Sequence, residues 1–240
     1  MKSFFNRILV AEEAILNLLA EAILSQNGVL LTYFNQHCFN VYFKNDKYRE
    51  ILEKQSVTFL DGYGIYLFLK LLGRSPERIN ASDINEKLFK LIGEKYYRTF
   101  IVGSNLDEKI LSKYFASFNL AGYQNGYFSE SEKETIQKKI QSADPRVILI
   151  GMGVPQQEIF ASELAERLNN SVIICVGNFL EFFTERKKRI PKKFRNIGIE
   201  WIFRLIQEPA RLWRRYLIGI PIFIFRAGSL IIKSWLYKDE

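Results

Sequence analysis

Through residue 176 the chain alternates short apolar runs with stretches whose apolar residues recur at helical spacing, and this alternation of periods predicts strand followed by helix, repeated. Residues 11 to 26, rich in Ala, Leu and Glu, predict a helix stopped by Asn27-Gly28. Strands are predicted at 29–34, 57–60, 98–102, 118–123, 147–150 and 172–176. Helices are predicted over 45–55, 63–73, 82–96 with Ser82 or Asp83 as N-cap, 106–117, 130–142 and 156–169. Strands that are continuous apolar runs, each followed by Gly and then a helix, belong to a parallel sheet covered on both faces. The predicted fold class is therefore α/β, a Rossmann-like parallel sheet flanked by helices.

After about residue 185 the pattern changes. A basic run leads into residues 199–216, where Arg204, Arg211 and Arg215 fall within about 40° of one another on a helical wheel of 3.6 residues per turn. Trp201, Leu205, Leu212 and Tyr216 occupy a separate arc, and Pro209 divides the segment. The apolar run 217–225 is too short to cross a bilayer, and Arg226 separates it from Leu230, Ile231, Ile232 and Trp235. Two readings stand for this stretch: an interfacial membrane anchor, or a C-terminal helix packed on the core or on a second subunit. The expected organisation is a catalytic α/β domain, residues 1–194, and a basic amphipathic helical C-terminal appendage, residues 195–240.

Charge sharpens that division. Of the net +8, residues 186–215 carry +9, with eleven Lys or Arg against Glu200 and Glu208. The rest of the chain sums to −1, so attraction to phosphates in nucleic acid, lipid head groups or a diphosphate substrate is local to one segment. Cys38 and Cys175 stand alone, without a C-x-x-C pair, which argues against a disulfide framework and for a reducing compartment. No secretory signal is evident in the first residues. The catalytic part is therefore expected on the cytoplasmic side.

Several chemistries are excluded. There is one histidine, no Walker lysine loop, no G-x-S-x-G elbow and no D-x-D triplet. No metal and no cofactor are expected. What remains is a set of residues just past strand ends: Asn35, Asp61, Gly103-Ser104, Gly151-Met152-Gly153 and Gly177-Asn178. In open α/β sheets that edge is where ligands bind. Asp61 has two readings, a cap for the helix that follows it or a site carboxylate. Gly151 and Gly153 lack the third glycine of a dinucleotide fingerprint, which disfavours an oxidoreductase.

Five blocks in order carry a resemblance across about Leu30 to Arg215. They are Leu60-Asp61-Gly62, Glu77-Arg78-Ile79-Asn80-Ala81-Ser82-Asp83, Gly153-Val154-Pro155-Gln156-Gln157-Glu158, Arg189-Ile190-Pro191, and Gly198 through Arg211 with its Glu-Trp and Glu-Pro pairs. Together they resemble the WecG/TagA/CpsF glycosyltransferases. The resemblance implies inverting transfer of an N-acetylmannosamine-type or related hexose from a UDP-sugar to a polyprenyl-diphosphate-linked sugar, in cell-surface polysaccharide or teichoic acid synthesis. It implies a peripheral enzyme on the inner face of the cytoplasmic membrane, with no nucleic-acid partner; association into a homo-oligomer is left open. By the same resemblance Asp61 aligns with the general base. Asn35, Thr32, Arg78, Ser82, Asp83, Gly103, Gly151, Gly153 and Gln157 would bind substrate, with Arg78 at the departing diphosphate. Arg204, Arg211 and Arg214 would close over the site, although the wheel favours Arg215 over Arg214. Departures are the extra residue in Thr32-Tyr33-Phe34-Asn35, Ala81 in place of a glycine, and Glu181 and Glu185 in a block that differs from the family's. His37, beside Asn35, reads better as a structural residue than a catalytic one. The alternative function is a basic nucleic-acid- or membrane-binding α/β module without activity.

Overall fold

In the computed structural model, which describes residues 2–188 and 200–236, strand and helix alternate as the pattern predicts. Helices α1 (Lys2–Arg7) and α2 (Glu12–Ser25) precede β1 (Val29–Phe34), and α3 (Gln36–Tyr42) and α4 (Asp46–Lys54) lead to β2 (Val57–Leu60). After α5 (Gly62–Leu71) and α6 (Ala81–Glu94) come β3 (Arg98–Gly103), α7 (Glu108–Tyr114), β4 (Asn119–Gln124) and α8 (Glu130–Ser142). The body ends with β5 (Val147–Gly151), α9 (Gln156–Ala165), β6 (Val172–Cys175) and α10 (Phe179–Phe183). Beyond it lie α11 (Glu200–Gln207), α12 (Pro209–Trp213), a π-helical turn (Arg214–Ile218) and α13 (Gly219–Leu236).

Local chemistry moves some boundaries. Helix α2 stops at Gln26, which is itself left-handed at φ 57°. Gly28 serves a different need, because a Cβ there would lie 2.4 Å from the carbonyl oxygen of Asn169. The N-cap of α6 is Asn80, whose side chain accepts from Ser82 N at 2.9 Å, and neither Ser82 nor Asp83 holds that position. Helices α7 and α9 are shorter than expected, and α3 starts directly after Asn35.

Among the described residues the six strands form one sheet, ordered β2-β1-β6-β5-β3-β4, with every pairing parallel. Successive strand residues point to opposite faces. Leu30, Ile148, Ile150 and Ile173 pack with α4, α8 and α9, whereas Leu31, Leu149 and Ile174 pack with α2, α3, α5 and α6. Burial of each such side chain contributes roughly 1.5–3 kcal/mol of transfer free energy. All six strands run the same way, so the ends of β1, β2, β3, β5 and β6 open onto one edge.

The C-terminal helix packs one of its faces on the core, as one of the two readings of its stretch expected. Phe223, Ala227 and Ile231, one turn apart each, are buried. Phe223 packs edge-on against Phe39 of α3 at 5.0 Å, Asn40 Nδ2 donates to Gly219 O at 2.7 Å, and Arg226 lies 5.6 Å over Phe43. This stripe packs on the core. The opposite face stays open, with Phe225 79% and Ile232 57% exposed. The helical run is also longer than the 217–225 stretch suggested: Pro209–Leu236 is 28 residues and contains a window long and apolar enough by composition to cross a membrane. In this fold it lies along the body. The boundary between 194 and 195, the Arg189-Ile190-Pro191 block, Gly198-Ile199, and Lys192, Lys193 and Arg195 lie outside the described residues.

Candidate active site

A cleft of about 990 Å³ opens at the carboxyl edge of the sheet. Its floor is made by the residues after β1, β2, β3, β5 and β6, its side by the start of α6, and its roof by α11, α12 and α13.

Asp61 occupies the N-cap position of α5, yet its side chain makes no capping bond there. Its Oδ2 accepts from Asn35 Nδ2 at 3.0 Å and its Oδ1 from Ala81 N at 2.9 Å. The cap reading is thus corrected: the carboxylate bridges the end of β1 to the first N–H of α6, where the helix dipole favours negative charge. Asn35 is fixed in turn, because its Oδ1 accepts from His37 N and Cys38 N at 3.0 and 3.1 Å. Asparagine at the head of α3 therefore does two jobs. It caps its own helix and aims Asp61.

Of the residues expected in the site, Asn35, Asp61, Arg78, Ser82, Asp83, Gly151, Gly153, Arg204 and Arg211 line the cleft. Four do not. Thr32 and Gln157 are both fully buried under the floor, where Thr32 Oγ1 and Gln157 Nε2 donate to Glu158 Oε1 at 2.8 and 2.7 Å. Helix α9 begins at Gln156 and turns Gln157 inward, so it reaches the cleft only through Tyr33, whose hydroxyl accepts from Nε2 at 3.4 Å. Burial pushes Glu158 up to about 7, against the two bonds that favour its charge. Gly103 is also off the wall; at φ 141° its Cβ would lie 2.6 Å from Gly151 O, so glycine there lets two strand ends close together. Arg214 is exposed and stacks over Trp213 at 5.2 Å. Arg215 is the one that faces the cleft, half-buried, as the wheel favoured.

The roof is cationic. Arg204 lies 5.2 Å over the Phe182 ring, and Arg186, Lys187, Arg211 and Arg215 line the same space. Glu208 grips Arg211 through Nε and Nη2 at 2.7 and 2.8 Å and accepts from Lys187 at 2.9 Å, which holds its carboxyl down at about 2. Arg215 Nε is buried without a hydrogen-bond partner among the described residues. On the side wall Arg78 sits 4.9 Å over Tyr63. Tyr63, Lys187 and Glu208 had no site role assigned from sequence; Tyr63 sits two residues past Asp61, Lys187 lies in the basic run, and Glu208 in the Glu-Pro pair. Glu181 lines the cleft 3.7 Å from Arg186, while Glu185 takes a bond from Tyr114 instead. His37 is off the wall, and burial, then Arg215 and Arg211, push it down to about 3, so it is neutral at pH 7.

A parallel α/β body with a pinned carboxylate facing a cationic roof, across a cleft at the strand ends, is the architecture of an enzyme that handles phosphate-bearing substrates. The chain belongs to the Glycosyl transferase WecG/TagA/CpsF family, which matches residues 6–237. It is a glycosyltransferase of a family that works in cell-surface polysaccharide synthesis. That membership extends through α13 and displaces the non-enzymatic alternative.

Proposed function

We propose that this enzyme moves a hexose, N-acetylmannosamine or a related sugar, from a UDP-sugar to a polyprenyl-diphosphate-linked sugar, with inversion. The observation that carries the reading is the pinned Asp61 carboxylate beneath Arg204, Arg211 and Arg215 in one cleft. The acceptor hydroxyl gives its proton to Asp61 as its oxygen bonds to the anomeric carbon, and the bond from that carbon to the UDP oxygen breaks in the same displacement. The charge released onto the diphosphate is met by guanidinium donors, with Arg78 on the side wall and the roof arginines above. Asn35 keeps the carboxylate aimed, and Gln157 and Thr32 act from beneath the floor as positioning residues rather than contacts.

The exposed apolar face of α13, with Phe225 and Ile232, and the neighbouring Arg214 and Lys233 support peripheral attachment to an anionic membrane on the cytoplasmic side. The test of the reaction is incubation with a panel of UDP-sugars and a short-chain polyprenyl-diphosphate sugar, with the product identified by mass and its anomeric configuration by NMR. One added hexose with inverted configuration is expected. Donor hydrolysis without a glycosylated lipid would overturn the reading.

A further inference from the structure

The cleft has a second half, apolar and remote from the transfer chemistry. Past Asp61 it continues between α5 and α13, where Leu67 and Leu71 face Ile220, Ile224, Ala227 and Gly228 on the wall of the same cavity. On each helix these residues fall at turn spacing and so form one face. The stretch from Ile220 to Ile231 gives a trough of about 16 Å at 1.5 Å per residue. Its base is core, with Phe68 at 1% and Phe223 at 7% exposure, while its rim is open, with Leu71 at 49% and Ile224 at 61%. At Gly228 an added Cβ would meet nothing within 4 Å, so this helix opens onto space there. At the outer end Trp235 Nε1 donates to Leu71 O at 3.4 Å and ties the two helices together.

The inner end of the trough meets Arg211 and Arg215. Arg215 Nε, buried and without a partner among the described residues, is suited to an anionic oxygen. A cationic mouth that leads into an apolar channel matches a molecule with a phosphate head and a hydrocarbon chain, and a sugar nucleotide has no chain to place there. The channel also emerges beside the open apolar face of α13, where the rest of such a chain would meet lipid.

We infer that the trough between α5 and α13 is the subsite for the isoprenoid chain of the acceptor, seating its first isoprene units while Arg211 and Arg215 hold the diphosphate. The inference rests on the proposed acceptor class. It adds a chain-length dependence of binding that the roof arginines alone would not produce.

Calorimetric titration of the full chain with inorganic diphosphate, geranyl diphosphate and farnesyl diphosphate, below their micellar concentrations, tests it without requiring turnover. Each buried methylene is worth roughly fourfold in affinity, so farnesyl diphosphate is expected to bind at least about tenfold tighter than inorganic diphosphate. Gly228→Leu and Leu67→Trp fill the trough from opposite walls. Each is expected to bring farnesyl diphosphate to within about threefold of inorganic diphosphate, with the melting temperature retained. Equal affinity for all three probes in the wild-type protein would overturn the inference. So would a chain-length gain that survives in both variants, because the chain would then sit on the outer face of α13. Glycosyl transfer without a chain-length gain removes the trough alone, whereas a trough-dependent gain without transfer to any polyprenyl-linked sugar removes the acceptor reading and leaves an isoprenoid diphosphate site.

Discussion

Replacing Asp61 with asparagine separates the carboxylate's chemistry from its structural role, because the hydrogen bonds around it define both. The two observed partners, Asn35 Nδ2 at 3.0 Å and Ala81 N at 2.9 Å, are donors. An amide at position 61 has one accepting oxygen and must turn its NH₂ toward one of them. Asn35 cannot rotate to accept without releasing His37 N and Cys38 N, and a backbone N–H cannot reverse. One bond is lost, at about 1–3 kcal/mol, which at roughly 2–4 °C per kcal/mol for a chain of this size gives a melting temperature lower by about 2–12 °C. Loss of a general base lowers turnover by about 10²–10⁴. The assay is kcat for UDP release with saturating acceptor, at a temperature where circular dichroism shows Asp61→Asn folded. Turnover within about tenfold of wild type would remove Asp61 as the base. A companion change, Asn35→Asp, sets a second carboxylate at that 3.0 Å distance. Like charge raises the pKa of Asp61, so the acidic limb of the kcat/KM profile should move to higher pH. An unmoved limb would mean that Asp61 does not set it.

Other outcomes follow from single contacts. Arg215→Ala should raise the KM for a diphosphate-bearing acceptor by about 10- to 100-fold while Arg214→Ala stays close to wild type, since a hydrogen bond to a charged group is worth about 1.5–3 kcal/mol; equal effects in steady-state kinetics would refute that assignment of faces. Gly103→Ala forces a Cβ to 2.6 Å from Gly151 O at φ 141°, and should destabilise by about 1–3 kcal/mol in urea unfolding, with no loss expected if the strand ends can part. Phe225→Asp with Ile232→Asp should release the enzyme from anionic liposomes in sedimentation with the fold intact, because both side chains lie on the open face; undiminished sedimentation would move the attachment elsewhere. Glu158 has a folded pKa raised to about 7, so its contribution is fully present below about pH 4.5 and is lost as pH rises through 7. Glu158→Gln should flatten the fall in melting temperature over that window, and unchanged pH curves would show that the burial of Glu158 does not govern it.

Much of this protein is legible without coordinates, and the reason is periodicity. A short β-branched apolar run such as Val147-Ile148-Leu149-Ile150, bounded by Pro145 and Gly151, reads as a strand covered on both faces, and the residue after such a strand is placed at the ligand edge by the direction of the sheet. Asn35 and Asp61 were readable for that reason, and the five ordered blocks carried the family. Strand order was not readable, since β1 pairs with both β2 and β6 through contacts over 100 residues apart in the latter case. Nor was the direction of single side chains. Gln157 follows a strand-end glycine loop as a contact residue would, but the first turn of α9 faces it into the sheet. Thr32 lies on β1 with its hydroxyl toward Glu158, a partner 126 positions away.

The same limit applies to the tail. Sequence alone determined that α11 to α13 would be basic and amphipathic and would break at Pro209, because charge spacing and proline act locally. Tertiary structure decided which face does what: Phe223, Ala227 and Ile231 find α3 and α5, Arg215 turns to the cleft, and Arg214 turns to Trp213. It also decided that Asp61 leaves its own helix uncapped to accept from Asn35 and from α6. Helical and strand periods are set by neighbouring residues and survive in a one-dimensional string. The partner of a side chain is set by packing between distant segments, and that exists only after the chain has folded.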